Sequence, residues 1–166
     1  MLQYKNDIIR EVDSNPNLDK IVIFDIVLPS PIKLDENTFV SGSYALYQLM
    51  LHLKLNIKFT SNSDINVYHV NGVEEKKTSK DCIEHSYVIH DIQHVLLNID
   101  LPCCRIAYND RRVYVSVQCL YSIFTGRYYI KAFKNVMSKE TQRFINRMEF
   151  YTKMGFQPIL YKMNKL

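Results

Sequence analysis

Asp64 and Asn66 stand either side of one residue, and Asp100 follows further along the chain. On an extended strand, side chains alternate between faces, so Asp64 and Asn66 would point the same way. Two oxygen donors from one strand and a third from a neighbour form the donor set that a two-metal phosphoryl-transfer site needs. Mg²⁺ prefers such hard oxygen ligands. A metal pair activates the attacking hydroxyl and stabilises the leaving oxygen. Upstream, Gly42-Ser43 precede a helix-forming run. Backbone N–H groups at the positive end of that helix can hold a phosphate, glycine permits close approach, and serine adds a hydroxyl donor. Asp64, Asn66 and Asp100 are therefore the candidate catalytic residues, with Asp64 and Asp100 as candidate Mg²⁺ ligands. Gly42 and Ser43 are the candidate phosphate binders. Taken singly, Gly42-Ser43 also reads as an ordinary helix cap, and Asp64 as the end of a polar loop.

These residues need particular elements around them. Tyr44 to Lys54 is built of helix formers and is apolar on nearly every side, which predicts a buried helix. Asp64 to Val70 predicts a strand, and Asn71-Gly72 a tight hairpin turn into a partner strand at Val73. Before them, Ile8, Ile9 and Val12 recur at helical spacing, and Lys20 to Leu28 reads as a strand closed by Pro29 and Pro31. Asp81 to Leu97 divides between a helical reading, on Ile83, Tyr87 and His90 or Asp91, and a strand over Val95 to Ile99. Leu101 to Tyr108 predicts a strand, Asn109-Asp110 a turn, and Arg112 to Val117 a returning strand. Val117 to Thr125 predicts a helix closed by Gly126, and Ser138 the cap of a last helix to Met154, with Phe144, Met148 and Tyr151 as its core stripe. Loose alternation of helices and strands with antiparallel turns predicts an α+β fold built on a mixed sheet flanked by helices.

Further clusters compete for attention. Cys82, His85, His90 and His94 include an i, i+4 histidine pair, the spacing of zinc sites, although hydrogen-bonded histidines are the expectation. Arg127, Tyr128, Tyr129, Lys131 and Lys134 could stack on and clamp nucleic acid, against the plainer reading of a loop with solvated lysines. Cys103 and Cys104 are expected to be small buried thiols.

The chain has 166 residues, 47% hydrophobic and 23% charged, which predicts one globular domain and excludes a disordered one. Its net charge of +4 permits nucleic-acid contact without requiring it. No run is long and apolar enough to span a membrane, and the first residues lack a signal peptide's apolar core. An intracellular protein with free thiols is the expectation. Abundant Tyr, Asn and Lys with no Trp points to an AT-rich genome, such as that of a large DNA virus or a protist.

Residues 39–70 (FVSGSYALYQLM…FTSNSDINVYHV) resemble the nucleotidyltransferase superfamily, marked by hG[GS], a helix, and an h[DE]h[DE]h strand. Asn98-Ile99-Asp100-Leu101-Pro102-Cys103-Cys104-Arg105-Ile106-Ala107-Tyr108 is similar to the FDLxxCxVxYDG segment of a branch found in large DNA viruses and fungal ankyrin-type proteins. Residues 147–156, from Arg147 to Phe156, resemble that branch's closing R-x-x-K-Y-x-x-R-G-F element. The resemblance covers residues 39–157 of a single domain spanning 1–166. It implies that Gly42 and Ser43 position phosphate, that Asp64 is the first metal carboxylate and that Asp100 is the third. Asn66 stands where the second carboxylate belongs, so one negative charge is missing. Two functional expectations follow. One is a degenerate module without catalysis, serving as a binding or structural protein for a protein partner or assembly, in host cytoplasm or virion if viral. The other is an active enzyme that uses Mg²⁺ and an NTP to move a nucleotidyl group to a protein or nucleic-acid hydroxyl.

Overall fold

A computed structural model describes residues 1–57, 64–72, 83–131 and 137–161. A 3₁₀ turn leads into α1 (Lys5–Ser14), then β1 (Ile21–Phe24) and β2 (Thr38–Ser41). α2 (Ser43–His52) follows, then β3 (Asp64–Val70), β4 (Ile83–Ile89) and α3 (Ile92–Leu97). A 3₁₀ turn at Pro102–Cys104 precedes β5 (Ile106–Tyr108), β6 (Val113–Ser116) and α4 (Val117–Thr125). The described chain closes with β7 (Arg127–Lys131), α5 (Lys139–Lys153) and β8 (Gln157–Tyr161).

The fold is α+β. A six-stranded sheet runs in the order β1-β6-β5-β2-β3-β4. Its neighbours are antiparallel except β3 and β4, which are parallel. β7 and β8 pair in parallel as a second, two-stranded sheet, with α5 lying between them in sequence. Register sorts the large sheet into two faces. Val40, Ile106, Tyr108, Val113 and Val115 share one face and pack with Ile8 and Val12 of α1, Leu46 and Leu49 of α2, and Leu120 of α4. Phe39 and Ala107 lie on the other face, against Ile92 and Leu96 of α3. α3 is short and covers β1, β5 and β6. The β3–β4 corner of that face is more open, with Ile83 and Tyr87 exposed. Among the described residues, no helix is long and apolar enough to cross a membrane.

Several expectations take a different form. The first strand stops at Phe24, because its partner β6 begins at Val113 and the ladder runs out. The chain then folds back, with Ile26 N–H donating to the Phe24 carbonyl at 2.9 Å. α2 is not buried all round: Ala45, Leu46, Leu49 and Met50 are buried, whereas Leu51 is exposed. Asn71 does take a left-handed conformation (φ 52°), but β3 does not turn back into a hairpin with the next described strand. β3 pairs instead with the parallel β4, and Asn71 N–H donates to the Ile89 carbonyl. Val73 lies outside the described residues. The ambiguous segment resolves as strand then helix. Pairing with β3 outweighs the helical spacing up to Ile89, and α3 starts only where the Asp91 carboxylate accepts from Gln93 N–H. The Leu101–Tyr108 segment opens as a 3₁₀ turn because Pro102 has no N–H for a strand ladder.

Candidate phosphate and metal site

The end of β2 sets the geometry. Ser41 pairs with Asn66 of β3 on one side and Ala107 of β5 on the other, so the three form a row across the sheet face shared with Asp64. Ser41 is buried, and its hydroxyl donates to the Ile106 carbonyl at 2.6 Å. That hydroxyl ties β2 to β5 before the chain turns into α2. Ala107 is fully buried.

Gly42 follows with φ 79° and ψ −156°, a combination close to exclusive to glycine. A Cβ there would lie 2.9 Å from Asn66 Nδ2. The Asn66 side chain therefore rests on the Gly42 backbone at the start of α2. No side chain caps this helix, and its first carbonyl bond is Leu46 N–H to Gly42 C=O. The first-turn N–H groups beginning at Ser43 thus make a positive helix end beside Asn66.

Asp64 opens β3 on the same face. His85 of β4 lies level with Asn66, and its Nε2 is 3.7 Å from Asp64 Oδ2. Both side chains are half-exposed. Tyr68 comes next along this face, beside Tyr87, with ring centroids 5.7 Å apart. Burial raises the Tyr68 hydroxyl above the usual phenol value, helped by Tyr87.

Asp100 occupies a different setting. It lies between α3 and the Pro102–Cys104 turn, off the sheet ladder. Its Oδ1 accepts from Leu101 N–H and from the Arg147 guanidinium of α5. It also lines a groove of about 470 Å³ shared with Arg105, Tyr129, Lys131 and Phe144. Among the described residues, no three His, Cys, Asp or Glu side chains converge to hold a metal ion. The fold thus unites Gly42, Ser43, Asp64 and Asn66, and it engages Asp100 with α5.

The residues present do not fit a pair of Mg²⁺ ions. Asp64 supplies one carboxylate, Asn66 only an amide dipole, Ser41 a hydroxyl already donating, and Ala107 a methyl group. Adjacent dications repel, and carboxylates are what offset that repulsion.

The other clusters come apart. His90 precedes α3 and pairs with the Asn71 side chain, whereas His94 lies within α3 next to Asn98, so the two share no helix face. Cys82 and Lys134 lie outside the described residues. Tyr128 is fully buried in β7, and the Tyr129 hydroxyl donates to Asp13, so they form no stacking platform. Cys103 and Cys104 are free and buried, as expected. Phe144, Met148 and Tyr151 pack on the core. His85 lies apart from His90 and His94, and the parallel register of β4 brings it to Asp64 instead. In comparisons with known proteins, no family model, no curated protein and no solved structure matches the chain.

Proposed function

We propose that the chain is a degenerate nucleotidyltransferase-fold module that lacks catalysis and works as a binding or structural protein. One observation carries this reading: the row Asn66–Ser41–Ala107 holds no carboxylate at the level of the α2 N-terminus. An active centre would need negative charge there to hold Mg²⁺ against the phosphates of an NTP. Ala107 is fully buried, so a third carboxylate at this level would be a buried charge.

A protein partner or an assembly is the favoured occupant. Among the described residues β4 is an edge strand of the sheet, and it exposes Ile83, Tyr87 and Val88. An apolar edge of this kind suits strand pairing with another polypeptide. The second reading is Mg²⁺-dependent nucleotidyl transfer from an NTP to a protein or nucleic-acid hydroxyl. The open helix end at Gly42-Ser43 beside Asp64 favours it.

Titration calorimetry with Mg-ATP and Mg-GTP and a radiolabelled transfer assay separate the two. Wild type should bind weakly or not at all and transfer no label. Asn66→Asp restores one carboxylate next to Asp64 and should tighten Mg²⁺ binding by about tenfold or more, roughly 1.4 kcal/mol. Turnover by wild type that Asp64→Ala abolishes would establish the enzyme instead.

A further inference from the structure

β7 and β8 form a parallel pair, and the strands of such a pair bond through alternate residues. Gln157 N–H donates to the Gly126 carbonyl at 2.8 Å, which sets the phase. With Arg127 opposite Gln157, Tyr128 and Ile130 turn their amides toward β8, whereas Arg127, Tyr129 and Lys131 turn theirs away. Pro158 agrees with this phase, because it falls where β8 faces away from β7 and the ladder needs no N–H. Arg127 is answered locally, since its N–H donates to Thr125 Oγ1. Tyr129 and Lys131 are not. Their main-chain N–H and C=O groups have no partner among the described residues.

The same two residues line the groove of about 470 Å³ that also holds Asp100, a size typical of binding clefts. Pro102 and Phe144 add apolar lining. Arg105, also on the groove, adds a donor. The Ile99 carbonyl holds its Nε, and Asp19 and Gln118 hold its Nη1, so Nη2 is left without a partner among the described residues. Those contacts fix the guanidinium before anything binds, which lowers the cost of binding. The phenols on the groove are already used, Tyr129 on Asp13 and Tyr161 on Asn17. The groove therefore offers main-chain donors and acceptors at alternate residues, with an apolar wall and one fixed cationic donor. An extended peptide carries the matching groups at the matching spacing.

We infer that the groove takes an extended peptide segment of a protein partner, added to β7 as a third strand. Tyr129 and Lys131 exchange main-chain hydrogen bonds with it, and Arg105 donates to one of its carbonyls. Two strands make the smallest possible sheet, and a third stabilises it. Tyr129 and Lys131 are two residues apart, about 6.6 Å along a parallel strand, so roughly three residues of the partner pass beside them. A compact ligand answers one of these residues but not both. The surface is separate from the Gly42–Asp64 corner and from β4. The inference therefore holds or fails independently of whether the chain transfers nucleotidyl groups.

Residue-resolved hydrogen exchange on the native full chain reads the edge first. The Tyr128 and Ile130 amides should be protected, and those of Tyr129 and Lys131 should exchange at least about tenfold faster. The binding probe is a library of random linear heptapeptides displayed on phage, from which a selected binder is synthesised. Adding it should protect the Tyr129 and Lys131 amides, and N-methylation at alternate peptide positions should abolish binding. Lys131→Pro removes one outward N–H and should weaken the peptide by about tenfold or more, whereas Lys131→Ala keeps that N–H and should lose much less. The N-methyl series leaves the protein untouched, so it decides the matter should Lys131→Pro not fold. Slow exchange at Tyr129 and Lys131 in the free chain, a library without binders, or a binder that protects other residues would overturn the inference. Equal losses in Lys131→Pro and Lys131→Ala would do so as well.

Discussion

Gly42 answers two demands at once. Its backbone conformation excludes a side chain on torsional grounds, and the Asn66 amide fills the space that a Cβ would take. Gly42→Ala should therefore destabilise the fold by about 2–3 kcal/mol, combining backbone strain with the clash. Asn66→Ala removes the obstacle but not the strain. In that background Gly42→Ala should cost only about 1–2 kcal/mol, so the double-mutant cycle read from urea unfolding should be non-additive by about 1 kcal/mol. Equal costs in both backgrounds would mean that Asn66 does not rest on Gly42. The pairing also bears on function. An asparagine at this position is a fitted part of the helix entry, so Asn66→Asp sets a carboxylate against the positive end of α2, where its charge is favoured.

At the scale of elements, α4 is the best-secured helix. Ser116 Oγ accepts from Cys119 N–H at its start, and Gly126 ends it in the left-handed conformation (φ 69°). Asp19 reinforces the start, with its carboxylate accepting from Gln118 N–H and pairing with Arg105 at 2.8 Å. Both charged side chains are largely buried, at 15% exposure for Arg105 and 8% for Asp19. Arg105 also donates to the Ile99 carbonyl, so it links the α3–β5 connection to α4 through Asp19. Removing one partner leaves the other as a buried, uncompensated charge. Asp19→Ala should cost about 3–5 kcal/mol in thermal or urea unfolding. The exposed pair Arg112–Asp25 provides the control, and Asp25→Ala should change stability by less than about 1 kcal/mol. A small effect of Asp19→Ala would show that Gln118 and water satisfy Arg105 without it.

Across the whole molecule, the core is rich in buried acids that stay protonated. Burial raises the phenols of Tyr108, Tyr128 and Tyr151 and the thiols of Cys103 and Cys119. Such groups contribute stability that is fully present below their unfolded values, 9.0 for a thiol and 10.0 for a phenol. It is lost as pH rises beyond those values toward the raised folded ones. The chain should therefore unfold cooperatively in alkali, beginning above about pH 9. The buried phenols should ionise only as circular dichroism reports unfolding. Phenolate absorbance that rises to completion while the dichroism stays native would contradict this. Tyr128→Phe removes an unpartnered hydroxyl and should raise stability at neutral pH by about 1 kcal/mol.

Local chemistry wrote some of this molecule directly into the chain. β3 runs from Asp64 to Val70 as its alternation implies, and α4 and α5 begin and end at the serine and glycine signals that cap them. The α+β class and the junction of strand, Gly42-Ser43 and helix were legible for the same reason: each depends on neighbours a few residues apart. The parallel register of β4, the row Asn66–Ser41–Ala107 and the hold of Arg147 on Asp100 and Cys104 were not. These contacts join residues far apart in sequence, and spacing along the chain carries no information about which strand becomes whose neighbour. Asp100 illustrates the limit. Its residue type and order suited a third carboxylate, but a proline-started turn and a helix arriving from the far end of the chain decided what it touches. Residue type set what each group can do; the packing of distant segments decided which groups act together.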